Sequence, residues 1–302
     1  MNRHIRTDLA LELREDLQDN QALDGVVINT YFDDECNITE TRIKVTNKHG
    51  EEILGKPIGT YITLESESLR AVDEGIHEPF VIKLHEHLKN MVGEADRLLV
   101  IGLGNRDVTP DALGPLVVDN LYITRHLLTE GIVKNVKEIS AISPGVMAQT
   151  GIESQLILKA LINEIHPDAI IAIDALAARE ADRLNSTIQI CDTGISPGAG
   201  VGNNRTKLNK ETLGVKVVAI GVPTVISVPA IINQSLEGMV NALSMNKGNS
   251  FKTDLTDEEK YELACELINP SLASMFVTPK DIDEAVKRVS FTISEAINRF
   301  NI

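Results

Sequence analysis

Residues 98–118 read LLVIGLGNRDVTPDALGPLVV, and this stretch decides the fold. Leu98-Leu99-Val100-Ile101 is an apolar run too short for a helix and closed by Gly102. Such a run reads as a strand buried on both faces, the form strands take in a parallel sheet. Gly102 and Gly104 let the backbone leave the strand and turn sharply. A polar loop over 105–110 leads to Asp111, and Pro115-Leu116-Val117-Val118 opens an amphipathic helix. A carboxylate is thus set at the carboxyl end of a core strand, where open α/β sheets bind their ligands.

A second stretch has the same form. Ala169-Ile170-Ile171-Ala172-Ile173 is an apolar run that stops at Asp174. A charge that ends a hydrophobic strand is costly unless something uses it. Parallel strands end on one edge of a sheet, so Asp111 and Asp174 are placed to face each other across a cleft. The plainer reading, that Asp174 caps a following turn or helix, stays open beside it.

Working outward, residues 139–142, 186–190 and 215–220 are further short apolar strands, and 151–165 and 228–243 are helices. The helix predicted after the first core strand covers 116–128. Strand and helix alternate at the spacing of right-handed βαβ crossovers. Before the first core strand, 25–48 alternates polar and apolar residues as a hairpin does, and 61–65 is another strand. The segment FVIKLHEHLKNM, 80–91, has apolar residues at helical spacing. His85 and His87 lie two apart on it, point in different directions and read as surface residues. Residues 7–21 form a weakly patterned terminus, 246–255 a loop, and 257–269 a helix capped by Thr256. Thr278 and Pro279 are the cap and first-turn proline of a last helix that runs to about 300.

The chain is read as one unit, 1–302, an N-terminal segment over 1–95 followed by an α/β core over 96–302. The expected architecture has three layers, a mostly parallel twisted sheet flanked by helices, with small N-terminal β-rich additions. The 302 residues are 43% hydrophobic, ample for such a core. A formal net charge of -15 and the absence of Trp argue against direct binding of nucleic acid. No apolar run reaches the roughly 18 residues of a membrane span, and the charged amino terminus is no secretory signal. Cys36, Cys191 and Cys265 are odd in number and far apart, as in a cytosolic protein with reduced thiols.

Two aspartates at sheet ends point to hydrolysis by a carboxylate pair. Close like charges cannot both stay ionised, so one holds a proton. The ionised partner takes a proton from water, and the protonated one polarises a carbonyl. Gly104, Asn105, Ser143, Gly145, Gly198 and Gly200, in loops after strands, are candidates for substrate binding or for steadying an oxyanion. No cofactor is expected. The competing scheme uses the same carboxylates to hold a divalent ion that activates water. Every His lies at 166 or earlier, away from the later strand ends, so a tetrahedral site lacks its usual ligand. Ser143 and Cys191 likewise have no His beside them to serve as a base.

At these residues the chain resembles a known family. GLGNRDVTPDALGP (102–115), SPGVM (143–147), IAIDALAAR (171–179), DTGISPGAGVGNNR (192–205) and AIGVPT (219–224) are similar to the germination protease of endospore-forming bacteria. RTDLALE (6–12) and VTPKDID (277–283) resemble it too, so the likeness runs along nearly the whole chain. It implies an endopeptidase that degrades small acid-soluble spore proteins in the spore core during germination. It implies synthesis as a zymogen, assembly as a homotetramer, and a fold similar to hydrogenase-maturation endopeptidases. The family's proposed catalytic aspartates match Asp111 and Asp174. The alternatives are a metal-dependent peptidase on those carboxylates and an inactive homologue that binds spore proteins. Two departures stand out: only Met1 to Ile5 precedes RTDLALE, so a pro-segment would be very short, and Val225-Ile226-Ser227 follows GVPT where the family usually carries another Asp. The stretch between 241 and 257 also looks shorter than the family norm.

Overall fold

A computed structural model describes residues 7–15, 24–71, 77–199, 206–246 and 268–301. Among the described residues nine strands form one sheet: β1 (Val26–Asp33), β2 (Ile38–Val45), β3 (Gly59–Glu65), β4 (Arg97–Gly102), β5 (Glu138–Ile142), β6 (Ala169–Ala178), β7 (Thr187–Cys191), β8 (Lys216–Ser227) and β9 (Phe276–Val277). Their order is β1-β2-β3-β7-β8-β6-β4-β5, with β9 also on β8. The expected parallel sheet is the group β5-β4-β6-β8. The remaining strands join it antiparallel, so the whole sheet is mixed. The predicted hairpin is β1–β2, and β3 ties it into the same sheet by pairing with β7, Leu64 opposite Ile188.

Alternation along the parallel strands makes the three layers. Leu98, Val100, Ile171, Ile173, Val218 and Ile220 pack on one face, against Phe80, Leu84 and Leu88 of helix Glu78–Val92 and Val289, Ile293 and Ile297 of helix Ile282–Asn298. Their neighbours Leu99, Ile101, Ile170, Ala172 and Val217 pack on the other, against Leu158 and Ile162 of helix Ser154–Ile165. A strand of period two with both faces apolar needs a helix on each side, and the sequence supplies both.

Several elements differ from their predicted form. The helix predicted over 116–128 is two helices, Leu113–Asp119 and Arg125–Thr129. Between them Tyr122 N donates to Asn298 Oδ1 (2.8 Å) and Thr124 N to the Ile139 carbonyl (3.1 Å), and these tertiary bonds outcompete helical ones. Within 7–21 a short helix covers Ala10–Glu15. His87 is buried, not superficial: its Nε2 meets Glu40 Oε2 at 3.1 Å, because β2 lies over that side of the helix. His85 bonds the Ala296 carbonyl at 2.9 Å. Thr278 caps no helix; its hydroxyl donates to the Thr224 carbonyl at 2.7 Å. The loop expected up to 255 falls outside the described residues from 247 onward, as does the helix expected at 257–269 up to 267.

Candidate active site

β4 ends at Gly102, opposite Ile173 of β6, and the next residue adds one more bond, Leu103 N to the Ile173 carbonyl at 2.8 Å. There the chain turns off the sheet. β6 does not stop with it. The strand continues through Asp174 to Ala178 because β8, also longer than predicted, keeps pairing with it: Asp174 sits opposite Gly221 and Ala178 opposite Ile226. Asp174 thus lies inside a strand, at the level where β4 gives out, and is 5% exposed. Its Oδ1 accepts the Ala175 N–H at 3.0 Å.

Asp111 closes a single 3₁₀ turn, Thr109–Asp111. Gly104 makes room for it. With φ at +109°, Gly104 lies in backbone space that other residues rarely enter, and a Cβ there would stand 2.0 Å from the Asp111 carbonyl oxygen. The N–H of Asn105 donates to Asp111 Oδ2 at 2.8 Å. On the far side β8 carries a bulge. Leu176 pairs with Pro223 and Ala177 with Val225, which leaves Thr224 as the extra residue. Bulges re-aim side chains, and this one turns the Thr224 hydroxyl onto the Pro110 carbonyl at 2.7 Å.

Asp111, Asp174, Thr224, Thr278 and Gly198 line one cavity of about 310 Å³, together with Asp8 from the amino-terminal segment. A larger cavity, about 560 Å³, opens elsewhere between helices Glu78–Val92 and Ile282–Asn298 and mixes Glu78, Asp119 and Glu295 with Lys287 and Arg288. The carboxylates Asp111 and Asp174 both belong to the smaller one.

The other candidates scatter. Asn105 spends its N–H on Asp111, and its side-chain oxygen accepts from Asp107 N and Gln149 Nε2. The Ser143 hydroxyl donates to the Gly102 carbonyl at 3.1 Å and braces the end of β4. Gly145, at φ +72°, lies beside Gln149 and Thr150. Gly200 lies outside the described residues. Cys191 is buried, burial pushes its thiol up, and it donates to the Gly194 carbonyl at 3.3 Å. Among the described residues, no three His, Cys, Asp or Glu side chains gather as a metal site.

Asp8 and Lys56 escape sequence reasoning. Asp8 exchanges bonds with Ala177 of β6: its N–H reaches the Ala177 carbonyl at 3.1 Å and its Oδ2 accepts the Ala177 N–H at 3.0 Å. Lys56 donates to the Asp8 carbonyl at 2.8 Å and lines a second cavity, about 100 Å³, that shares Asp8 and Leu176 with the first. Part of the residue is exposed, but its ammonium is enclosed, and burial pushes its pKa down. Farther along, Glu12 is wholly buried and accepts the N–H groups of Arg179 (2.8 Å) and Glu180 (3.0 Å). The only local hint is two acidic residues set in TDLALE. Their partners lie more than 160 positions away.

The whole-chain comparisons agree with the resemblance. The profile of the germination protease family matches residues 5–253. The germination protease of Caldanaerobacter subterraneus subsp. tengcongensis is 42% identical over 308 residues, covering 97% of this chain and 93% of its own. That of Clostridium tetani is 42% identical over 307 residues, covering 97% and 94%. That of Bacillus velezensis is 37% identical over 341 residues, covering 97% and 92%. Among solved structures, the NiFe hydrogenase maturation protease HycI from Thermococcus kodakarensis overlaps 60% of this chain and 96% of its own at 19% identity, with a TM-score of 0.31. No helix among the described residues is long and apolar enough to cross a membrane. With the family profile spanning most of its length and relatives aligned almost end to end, the chain belongs to the germination protease family and is an endopeptidase of spore germination.

Proposed function

We propose that this chain hydrolyses small acid-soluble spore proteins in the spore core, with Asp111 and Asp174 as its catalytic carboxylates and no metal. The observation that carries this reading is that both aspartates, brought from different elements, wall the same cavity. Two carboxylates that share a site titrate as a pair, with one proton held between them over a range of pH. The ionised member accepts a proton from the attacking water. The protonated member donates a hydrogen bond to the scissile carbonyl and later returns a proton to the departing amine. Asn105 fixes Asp111 through its main-chain N–H, so that N–H is not free for an oxyanion. The role falls to the loop at Gly198, which lines the same cavity. A homotetramer made as a zymogen completes the reading.

Asp111→Asn and Asp174→Asn each keep the shape and remove the ionisable oxygen. Each should lower cleavage of a purified small acid-soluble spore protein by about 10²–10⁴-fold with an unchanged circular dichroism spectrum. Full activity in either variant refutes the pair. Activity lost to exhaustive chelation and restored by a divalent ion replaces it with the metal scheme. Substrate bound but intact after overnight digestion with the unaltered protein speaks against proteolysis itself.

A further inference from the structure

The flank of β6 beyond the end of β4 has an unusual arrangement. Main-chain groups of alternate strand residues point to the same side. Ile173 turns its carbonyl to Leu103, the last main chain that the β4 side supplies. Two residues on comes Ala175, which lines the same cavity as the aspartates; its N–H is taken by Asp174 Oδ1, so what it offers a docking chain is its carbonyl. Two further, Ala177 both gives and takes a hydrogen bond with Asp8, and after it Arg179 gives its N–H to Glu12.

Asp8 here imitates a strand. In an antiparallel pair two facing residues exchange both N–H···O bonds. Asp8 makes that exchange with Ala177, using its carboxylate as the acceptor where a strand residue would use its carbonyl. Its own carbonyl is turned away, to Lys56 Nζ and Gln189 Nε2. The edge therefore pairs with extended chain of this protein at the very place where it passes the cavity.

We infer that this flank, Ala175 to Ala177, is a main-chain docking rail for the substrate: an extended peptide adds to β6 as a strand and replaces Asp8 at Ala177. The inference rests on the proteolytic reading of the cavity and deepens it. A peptide so held runs through the cavity that Asp111 and Asp174 line. In such strand addition the main-chain hydrogen bonds supply affinity, and pockets for alternate side chains supply sequence preference. Strand addition also demands an unfolded stretch of substrate, because a chain already folded has no free edge to offer.

The test uses the unaltered full chain and a peptide carrying one cleavage site of a small acid-soluble spore protein. Single N-methyl groups are placed at successive backbone nitrogens on one side of that site. A rail makes sensitivity alternate. At every second position kcat/KM falls about threefold to tenfold, the value of one lost hydrogen bond, and the positions between keep the parent value. Equal tolerance at all positions, or a loss that fades smoothly with distance, overturns the rail while leaving the protease reading intact, because the parent peptide is still cut. A parent peptide left whole overturns that reading and the rail with it.

Discussion

The hydroxyl of Thr224 donates to the carbonyl of Pro110 at 2.7 Å, so a bulge in β8 holds the turn that ends in Asp111. Thr224 is 1% exposed. Thr224→Val keeps the volume and removes the bond to the half-buried Pro110, which costs about 0.5–1.5 kcal/mol. The turn is then free to shift, and kcat should fall more than KM rises. Thr224→Ser keeps the hydroxyl and should restore most of kcat. Steady-state kinetics on both variants with a peptide substrate decide it, and equal kcat in Val and Ser variants removes Thr224 from the positioning of Asp111.

Gly104 approaches the same turn from the other side. Gly104→Ala meets two penalties at once, a Cβ 2.0 Å from the Asp111 carbonyl oxygen and a backbone at φ +109°. A residue forced into such a conformation costs on the order of 1–3 kcal/mol, and the clash adds to it. Asp111 is the neighbour that must yield. A lowered melting temperature together with near-complete loss of cleavage is expected. A variant that melts lower yet cuts normally shows that the turn relaxes without moving the carboxylate.

The parts of this fold that could be read from sequence are those set by local pattern. The apolar runs at 98–101 and 169–173 announce buried parallel strands, and the glycines after the first announce a turn. Asp111 and Asp174 follow from those two facts and the geometry of parallel sheets. What local pattern hides is where partners lie. Asp174 and Pro223 look like strand terminators, yet β6 and β8 run on past them because each supplies the other's ladder up to Ala178 and Ile226. Asp8 looks like part of a loose terminus, and only its bonds to Ala177 reveal a place beside the cavity. His87 looks like a surface residue until β2 is laid over it with Glu40.

The amino-terminal segment is anchored by a buried charge. Glu12 is 0% exposed, with Arg183 Nη1 at 3.4 Å, and Arg183 is itself buried and held by Glu65 at 3.0 Å. Removing the cation leaves a buried carboxylate that, among the described residues, keeps only the neutral donors of Arg179, Glu180 and Thr7. Breaking a buried pair in this way costs about 3–5 kcal/mol. Arg183→Met should lower stability by that order in urea unfolding, whereas the double change Glu12→Gln with Arg183→Met should recover part of it. A loss under about 1 kcal/mol, the range of surface pairs, places the anchor elsewhere.

Lys56 gives the fold a pH signature. Its ammonium is enclosed, and burial holds its pKa below the usual lysine value, against the opposing pull of Asp8 and Cys191. At low pH the lysine is charged in both the folded and unfolded chains, and folding carries the full cost of burying the charge. Between the folded pKa and the ordinary value near 10.4, the unfolded chain binds a proton that the folded chain has shed. Stability attributable to Lys56 therefore rises with pH across that window, by up to about 1.4 kcal/mol per pH unit, and levels off above it. The thiol of Cys191 pulls the other way, since burial raises its pKa and the folded chain keeps its proton longer. A Cys191→Ala background removes that contribution. In this background, urea unfolding at a series of alkaline pH values should show the chain with Lys56 gaining stability relative to Lys56→Met as pH rises. Parallel curves mean that the ammonium titrates at its ordinary value and that its bond to the Asp8 carbonyl is made in contact with solvent.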